Sequence, residues 1–222
     1  MGTVLVIGAS RGIGLEFVRQ SRAAGERVIA TARDDAGLAR LRELGAEVLR
    51  VDVASSASVS GLSWQLDGEK IDLALYAAGV IDRGDARSPP TQAVFDRVLH
   101  TNVLGLMQAL PQVMPMVEDA GGVFAALSSA MSQIGPVPGS NSWLYRASKA
   151  ALNMALRSAR VDYPRARLVA LDPGWVRTDM GGENAPLSVE DSVRAMRDTV
   201  AGITPADKGR LLHHDGRRAA HW

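Results

Sequence analysis

The chain contains no cysteine, which excludes disulfide bonds and thiolate metal ligands. Neither sign of charge is in excess, because 25 basic residues stand against 24 acidic ones and no block of like charge occurs. A nucleic acid or an anionic membrane surface is therefore not the expected partner. No apolar stretch is long enough to span a membrane, and the N-terminal apolar run ends at Gly8, too early for a signal peptide. We expect a soluble, cytoplasmic protein.

Aromatic residues make up only 5% of the 222 residues, whereas hydrophobic residues make up 46%, so we expect a core of Val, Leu, Ile and Ala side chains. Short apolar runs alternate with helical patterns along the chain, which indicates a doubly wound α/β fold of the Rossmann type. Several runs are nearly continuous in aliphatic residues, as in parallel strands covered by helices on both faces. The length and the lack of a linker favour one domain, residues 1–222.

The predicted strands of this mostly parallel sheet are seven apolar segments, at residues 3–7, 27–31, 47–51, 72–76, 122–127, 167–172 and 209–214. The predicted helices lie between them, near residues 13–24, 35–44, 56–66, 91–117, 146–162 and 188–201. Ser58 and Ser188 lie near plausible helix starts. Pro111 and Pro115 lack the backbone N–H group that a helix interior needs, so we expect them to kink or end the fourth helix.

A glycine-rich turn, GASRGIG, follows the first predicted strand directly and precedes a helix. Its glycines, Gly8, Gly12 and Gly14, have a G-x-x-x-G-x-G spacing that differs from the best-known dinucleotide fingerprint. A tight turn there lets backbone N–H groups at the helix start bind a pyrophosphate. A turn required only by chain geometry is the alternative. Its position after the first strand of a βαβ unit favours nucleotide binding.

The end of the second strand indicates which dinucleotide would bind. An acidic residue about 20 residues after the glycine turn usually marks NAD, and an arginine marks NADP. Here Ala32 ends the strand and Arg33 follows, while Asp34 and Asp35 come later. Arg11 of the glycine turn can reach the same region, and two guanidinium groups could bind a 2′-phosphate. We predict NADP(H) rather than NAD(H), with solvated surface arginines as the alternative.

Tyr145 and Lys149 lie four residues apart in a predicted helix, so both side chains leave the same face. A free phenol has a pKa of about 10, and a neighbouring ammonium group lowers it, so the pair is predicted to be a tuned general acid/base. The alternative is a tyrosine that begins a core helix and a lysine in solvent. Ser128 and Ser129 follow the fifth strand, at the sheet edge where ligands of such folds bind, and could hydrogen-bond a substrate carbonyl.

The chain resembles the short-chain dehydrogenase/reductase family in six motifs that occur in the family's order and span nearly its whole length: IGASRGIG (7–14), YAAG (76–79), TNVLG (101–105), LSS (127–129), YRASK (145–149) and DPGWVRTDM (172–180). The phrases YRASKAALNM and DPGWVRTDMGG are further similar to the branch that contains C-factor-like and sniffer-like carbonyl reductases. The resemblance implies an NADP(H)-dependent oxidoreductase that interconverts a carbonyl and an alcohol by hydride transfer.

The resemblance also implies a role for each catalytic candidate. Tyr145 would exchange a proton with the substrate oxygen, and Lys149 would bind the nicotinamide ribose and lower the tyrosine pKa. Ser129 would orient the carbonyl, and its neighbours Ser128 and Ser132 are alternatives. The cofactor would supply the hydride.

Further residues would bind the cofactor or support the reaction. Asn102 would hold a water for proton relay, or would only bond a helix backbone. The family's strand-four motif is usually Asn-Asn-Ala-Gly, and Tyr76 and Ala77 stand here in place of both asparagines, a departure that bears on cofactor affinity. The expected cofactor-binding residues are Gly8, Ser10, Arg11, Gly12, Ile13, Gly14, Arg33, Asp52, Val53, Ala77, Ala78, Gly79, Tyr145, Lys149, Pro173, Val176 and Thr178.

Two alternative functions use the same fold. A cofactor-sensing or signalling protein with little turnover would not need the Ser129, Tyr145 and Lys149 set. Sugar-nucleotide epimerisation or dehydration uses a similar tyrosine and lysine, but those relatives have a longer C-terminal substrate region. A small-molecule carbonyl or alcohol is therefore the expected substrate.

His213, His214 and His221 have no helical metal-ligand spacing, so we expect them to be polar surface residues and expect no metal site. The resemblance implies a homodimer through the helices near 91–117 and 146–162 as a candidate assembly, but Pro111 could disturb that surface, and the sequence does not decide the oligomeric state.

Overall fold

The structure is a computed structural model that describes residues 2–135 and 137–220. Within these residues one sheet has the strand order β3-β2-β1-β4-β5-β6-β7, and every neighbouring pair is parallel. The strands are β1 (Thr3–Ile7), β2 (Arg27–Ala32), β3 (Glu47–Arg50), β4 (Leu73–Tyr76), β5 (Val123–Leu127), β6 (Arg167–Asp172) and β7 (Leu211–His213). The predicted seven-stranded Rossmann-type sheet is confirmed, and it is wholly rather than mostly parallel.

Helices cover both faces of the sheet. They are α1 (Gly12–Ala23), α2 (Asp35–Glu43), α3 (Ser56–Val59), α4 (Leu62–Gln65), α5 (Gln92–Leu99), α6 (Gly105–Ala120), α7 (Trp143–Ala159) and α8 (Val189–Ala201). Side chains alternate along each strand, so Leu5 and Ile7 of β1 enter a core with α6 and α7, whereas Val4 and Val6 enter one with α1, α2 and α8. Burial on both faces explains why the strands are continuously apolar. No helix in the described residues is both long and apolar enough to cross a bilayer.

The helix expected at 56–66 is two short helices, α3 and α4, with Gly61 at the start of the second. Glycine is a poor helix residue, which accounts for the break. Ser55 rather than Ser58 caps α3: its hydroxyl oxygen accepts from the backbone N–H of Ser58. Ser188 caps α8 by accepting from the backbone N–H of Asp191 at 3.0 Å, as its position indicated.

Pro111 and Pro115 lie inside α6 and do not end it, so of the two expected effects the early end of the helix is wrong. Each proline removes one backbone donor, but both lie on the exposed face of the helix. The opposite face, including Val113 and Met114, is fully buried and holds the helix against the sheet. The helix ends at Gly121, which adopts a left-handed conformation with φ of 59°.

A π-helical turn, His100–Leu104, joins α5 to α6. Such a turn disturbs the regular hydrogen bonding of a helix, and here the carbonyl oxygen of Thr101 accepts a 2.9 Å bond from the hydroxyl of Tyr76. Gly105 follows the turn, and a Cβ atom there would lie 2.6 Å from the Val53 carbonyl oxygen and 2.7 Å from the Tyr76 hydroxyl. Tyr76 therefore ties β4 to the turn that contains Asn102.

Candidate active site

The carboxyl ends of β1 and β4 lie side by side where the strand order reverses, which is the place where open α/β sheets bind ligands. Gly8 follows β1, and its neighbours after β4 are Ala77 and Ala78. The backbone N–H groups of both alanines donate to the carbonyl oxygen of Ile7, at 2.8 and 3.1 Å. The glycine turn and the strand-four motif, which were predicted to bind one cofactor, therefore line one crevice.

The glycine turn leaves no room for side chains. A Cβ atom on Gly8 would lie 2.7 Å from backbone atoms of Ala78, and one on Gly14 would lie 2.5 Å from the Gly8 carbonyl oxygen. Gly12 adopts φ of 56°, which favours glycine. No side chain in the described residues caps α1 after Arg11, and its first turn has no acidic residue. Backbone donors at this helix start thus fit the pyrophosphate of a dinucleotide.

Arginine side chains surround the outer edge of the glycine turn. Arg11 pairs with Asp179 at 3.0 Å, and Arg33 lies beside Asp34 with 3.9 Å between Nε and Oδ2. Arg40, which the sequence motifs did not indicate, donates from Nε and Nη2 to the Ser10 carbonyl oxygen at 3.2 and 3.1 Å. The sequence alone could not have indicated Arg40, because its side chain reaches from α2 to a turn 30 residues earlier in the chain. Three guanidinium groups therefore lie near the glycine turn and the end of β2.

The acidic residues at the start of α2 have partners within the protein. Asp34 caps the helix by accepting from the backbone N–H of Gly37 at 2.8 Å. The carboxylate of Asp35 pairs with Arg50. Gly37 permits the close packing, because a Cβ atom there would lie 2.8 Å from the Cβ atoms of both Ala32 and Ser10.

Tyr145 and Lys149 project from α7 towards the carboxyl edge of the sheet. Lys149 is only 3% exposed and donates a 2.7 Å hydrogen bond to the carbonyl oxygen of Leu127, the last residue of β5. Its Nζ atom lies 5.7 Å from the centroid of the Tyr145 ring. A Cβ atom on Gly79 would lie 3.4 Å from that Nζ and 3.5 Å from Oδ1 of Asn102. The alternative of a lysine in solvent is therefore wrong.

Burial dominates the acidity of both side chains. It raises the pKa of Tyr145 to about 12, with an opposing contribution from a hydrogen bond with Ser129 and a further raising one from the Asp172 carboxylate. Burial also lowers the pKa of Lys149 to about 8. The pKa of Tyr145 therefore lies above the ordinary value of a phenol in this structure, because desolvation outweighs the opposing hydrogen bond.

The three candidate serines after β5 differ in their partners. Ser129 lies near enough to Tyr145 to lower the pKa of the phenol. Ser128 and Ser132 are buried and bond instead to Asn153, whose Oδ1 accepts from Ser128 at 2.7 Å and whose Nδ2 donates to Ser132 at 2.8 Å. This geometry favours Ser129 as the serine beside the tyrosine. Asn153 was not recognised in the sequence, although it continues the four-residue spacing of Tyr145 and Lys149.

Asn102 lies fully buried in the π-helical turn, and its side-chain amide is bonded on both sides. Its Oδ1 accepts from the backbone N–H of Val80 at 2.8 Å, and its Nδ2 donates to the Val80 carbonyl and to Oγ of Ser148, both at 2.9 Å. Ser148 in turn donates to the Tyr145 carbonyl oxygen at 2.7 Å. The side chain therefore joins the segment after β4 to the first turn of α7.

The remaining predicted cofactor residues lie on loops along the same sheet edge. Asp52 follows β3, and its carboxylate accepts from the backbone N–H of Ala54 at 3.0 Å. The loop after β6 meets the glycine turn, since a Cβ atom on Gly12 would lie 3.6 Å from the Thr178 side chain. The other predicted residues on these loops and at the start of α1 are Ile13, Val53, Pro173 and Val176.

A family model described as short chain dehydrogenase matches residues 2–186. The chain belongs to the short-chain dehydrogenase family. A 1-hydroxy-2-glutathionyl-2-methyl-3-butene dehydrogenase of Rhodococcus sp. (strain AD45) is 31% identical over 225 residues, which cover 97% of this chain and 98% of that protein. The C-signal protein of Myxococcus xanthus is 34% identical over 149 residues, which cover 66% of this chain and 90% of that protein.

Solved structures of the short-chain dehydrogenase family resemble the whole chain. The carbonyl reductase Sniffer of D. melanogaster superposes with a TM-score of 0.92 at 25% identity and 100% coverage of both chains. A carbonyl reductase from Pseudomonas aeruginosa PAO1, in complex with NADP, superposes with a TM-score of 0.83 at 29% identity and the same 100% coverage. The predicted family and its carbonyl-reductase-like branch are confirmed, and the protein is an oxidoreductase of that family.

The histidines of this short-chain dehydrogenase are not simple surface residues, which corrects the expectation. Pairing of β6 with β7 places His213 opposite Asp172, and His213 Nδ1 lies 2.8 Å from Oδ2 of that buried carboxylate. The ring of His214 packs against Gly174, and its Nδ1 is buried without a hydrogen-bond partner among the described residues. Among residues 2–135 and 137–220, no group of three or more His, Cys, Asp or Glu side chains could hold a metal ion. His221 lies outside the described residues.

Proposed function

We propose that this short-chain dehydrogenase is an NADP(H)-dependent oxidoreductase that interconverts a carbonyl compound and an alcohol, with residues 1–222 acting as one domain. The observation that carries the proposal is the buried ammonium group of Lys149, which lies 5.7 Å from the ring centroid of the buried Tyr145 and bonds the carbonyl oxygen of Leu127, two residues before Ser129. These groups lie at the sheet edge that also holds the glycine turn. The cofactor supplies or accepts the hydride when it is bound.

The chain's own task is to orient the substrate oxygen and to move its proton. In reduction, Ser129 donates a hydrogen bond to the carbonyl oxygen and holds it beside the Tyr145 hydroxyl. Tyr145 then delivers its proton as negative charge develops on that oxygen. Because burial raises the pKa of Tyr145 to about 12, the phenol is protonated at neutral pH and suits the reductive direction.

Lys149 and Asn102 have supporting roles in the proposed reaction. The ammonium group of Lys149 has three donors, of which one is used on Leu127, so the others can bind the nicotinamide ribose. Both amide protons of Asn102 are already used on Val80 and Ser148. We therefore assign to Asn102 support of the proton relay by holding α7 in place.

The proposed preference for NADP(H) rests on the charges beside the glycine turn. Arg11, Arg33 and Arg40 offer guanidinium donors suited to a 2′-phosphate. The carboxylates of Asp34 and Asp35, which could otherwise bind a ribose hydroxyl, are bonded within the protein. The similar carbonyl reductase of Pseudomonas aeruginosa PAO1 in complex with NADP supports the same choice.

A signalling protein with little turnover is the second candidate, and the similarity to the C-signal protein of Myxococcus xanthus is the observation that favours it. A protein that only binds the cofactor gains nothing from a desolvated lysine at the reaction centre. Burial of Lys149 and the contact of Tyr145 with Ser129 therefore favour catalysis.

We also propose that the enzyme forms a homodimer through the outer faces of α6 and α7. Apolar side chains are exposed there: Met107 is 55% and Met154 is 64% accessible, and Leu104 lies beside the first of them. Pro111 belongs to the same exposed face and leaves α6 intact. Light scattering after size-exclusion chromatography should give about twice the chain mass, and M154E should reduce it to one chain mass. A parent protein of single-chain mass at micromolar concentration would contradict the dimer.

The decisive experiment is a turnover screen with the purified protein. NADPH oxidation is followed with aldehydes, ketones and quinones, and NADP⁺ reduction with 1-hydroxy-2-glutathionyl-2-methyl-3-butene, the alcohol named for the Rhodococcus relative. Tyr145→Phe should lower the rate by about 100-fold or more, which is typical for loss of a general acid. Tyr163→Phe, a partly buried tyrosine away from the sheet edge, is the matched control. Equal rates for parent and Tyr145→Phe would reject the proposed chemistry in favour of the signalling candidate.

A further inference from the structure

Helix α7 contacts the end of β5 at three successive helical turns. Tyr145, Lys149 and Asn153 are spaced by four residues and so share one face. Tyr145 reaches Ser129, and Lys149 bonds the carbonyl oxygen of Leu127. We infer that Asn153, the third of these residues, is a positioning residue that holds Ser129 in register with Tyr145. This inference rests on the proposed function.

The side chain of Asn153 bonds two serines on either side of Ser129 in the chain, Ser128 and Ser132. Its Oδ1 accepts from Oγ of Ser128 at 2.7 Å, and its Nδ2 donates to Oγ of Ser132 at 2.8 Å. Ser132 then donates its own proton to the carbonyl oxygen of Ser129 at 2.6 Å. The asparagine thus reaches Ser129 from the preceding residue and from the following turn.

The hydrogen-bond inventory explains why an asparagine is needed at this position. Ser132 spends its single proton on Ser129, so it can only accept from residue 153. Ser128 donates to residue 153, so the same side chain must accept there. An amide offers one donor and one acceptor in this arrangement, whereas an aliphatic side chain offers neither. Since all three side chains are 3% exposed, water cannot replace a lost partner without rearrangement.

The direction of the Ser129 hydroxyl depends on the turn that Asn153 holds. Ser129 begins the 3-10 turn Ala130–Ser132, and its Oγ accepts from the backbone N–H of Met131 at 3.1 Å. That bond uses only a lone pair, so the single hydroxyl proton of Ser129 is free to be donated to a substrate oxygen held beside Tyr145. A small shift of the turn would misalign this donor, and misplacements of about 1 Å cost catalysis heavily. The dinucleotide crevice lies at β1 and β4, so cofactor affinity should not change.

A double-mutant cycle tests the inference with the full-length protein. The kcat of the parent, S129A, N153L and S129A/N153L is measured at saturating NADPH on a substrate found in the screen. N153L should lower kcat by about tenfold or more and leave the KM for NADPH within about twofold. In the S129A background it should have no further effect, because the hydroxyl that it positions is gone. Equal losses in both backgrounds would overturn the inference.

A second variant, N153D, keeps the shape of the side chain and gives a pH signature. The carboxylic acid can donate to Ser132 only while it is protonated, so the ratio of its kcat to that of the parent should be near one at about pH 5. The ratio should fall as the pH rises to about 8, since a carboxylate presents acceptors to both serines. A ratio that does not change with pH would overturn the inference, also if N153L fails to fold.

A control variant and a comparison with S129A and Tyr145→Phe separate the possible outcomes. Leu156→Ala removes a buried side chain from the same helix, so it should lower the melting temperature and leave kcat within about twofold of the parent. The proposed function fails if S129A and Tyr145→Phe both keep the parental kcat. Only the role of Asn153 fails if those two variants lose activity and the N153 variants do not.

Discussion

The ammonium group of Lys149 donates to the backbone carbonyl oxygen of Leu127 at 2.7 Å, and this bond joins α7 to the end of β5. The four-residue spacing of Tyr145 and Lys149 suggested that the ammonium group lowers the pKa of the phenol. The structure adds the strand end as a third partner, and burial as the larger influence on both groups. This arrangement leads to the first two predictions.

Stability should depend on pH through Lys149. Burial lowers its pKa from 10.5 to about 8 in the folded protein. Between about pH 8 and about pH 10 the unfolded chain therefore holds a proton that the folded protein has released, so the free energy of unfolding rises with pH. The rise is at most about 1.4 kcal/mol per pH unit. Urea unfolding of the parent should show this slope relative to Lys149→Met, and parallel curves for the two proteins would contradict the buried lysine.

The phenol of Tyr145 should resist ionisation in the protein alone. Since burial raises its pKa to about 12, the ultraviolet difference spectrum between the parent and Tyr145→Phe should show no phenolate signal below about pH 10. Addition of NADP⁺ should shift the signal to lower pH, because a positive charge beside the ring favours the phenolate. A signal near pH 7 without the cofactor would show that desolvation is not the dominant effect.

Arg40 should contribute to the choice of cofactor. If its guanidinium group binds the 2′-phosphate, Arg40→Ala should weaken NADPH binding by about tenfold and leave NADH binding within about twofold. Arg42→Ala, an exposed change on the same helix, serves as the control. Titration calorimetry of the parent and both variants with NADPH and NADH measures the six affinities. An equal loss for both cofactors would mean that Arg40 only supports the glycine turn through Ser10.

Tyr76 and Gly105, which pack against each other beside the π-helical turn, should each contribute to the free energy of unfolding. Tyr76→Phe removes the hydrogen bond to the Thr101 carbonyl and should lower the free energy of unfolding by about 1 kcal/mol. Gly105→Ala should cost more, because its methyl group would meet the Val53 carbonyl oxygen at 2.6 Å. Gly61→Ala, where the nearest atom would be 3.7 Å away, is the control and should be nearly neutral. A Gly105→Ala protein of parental stability would show that the π-helical turn yields easily.

Much of the fold follows from local pattern. The strands β1 and β6 begin and end at the predicted residues because buried parallel strands are continuous apolar runs bounded by turns. The glycine turn and the Tyr145–Lys149 spacing could also be recognised, since both depend on neighbours in sequence. Pro111 shows the limit of such rules, because burial of the opposite helix face outweighed the lost backbone bond.

The rest of the site depends on residues that only the fold brings together. Asn153 meets a serine 25 positions earlier, and Arg40 meets a turn 30 positions earlier. His213 bonds Asp172 because β6 and β7 pair in one register. The direction of a pKa shift likewise depends on how much water the packing removes, which no spacing of charges along the chain expresses.

The exposed ion pair between Arg11 and Asp179 bridges the rim of the crevice, from the glycine turn to the loop after β6. Surface pairs of this kind are worth about 1 kcal/mol or less, so thermal motion breaks this one often. The proposed dinucleotide would therefore often find this ion pair already broken. Its anionic phosphates would compete with the Asp179 carboxylate for the guanidinium group of Arg11. Association should consequently slow as salt screens that attraction, rather than wait for a rare rearrangement of the chain.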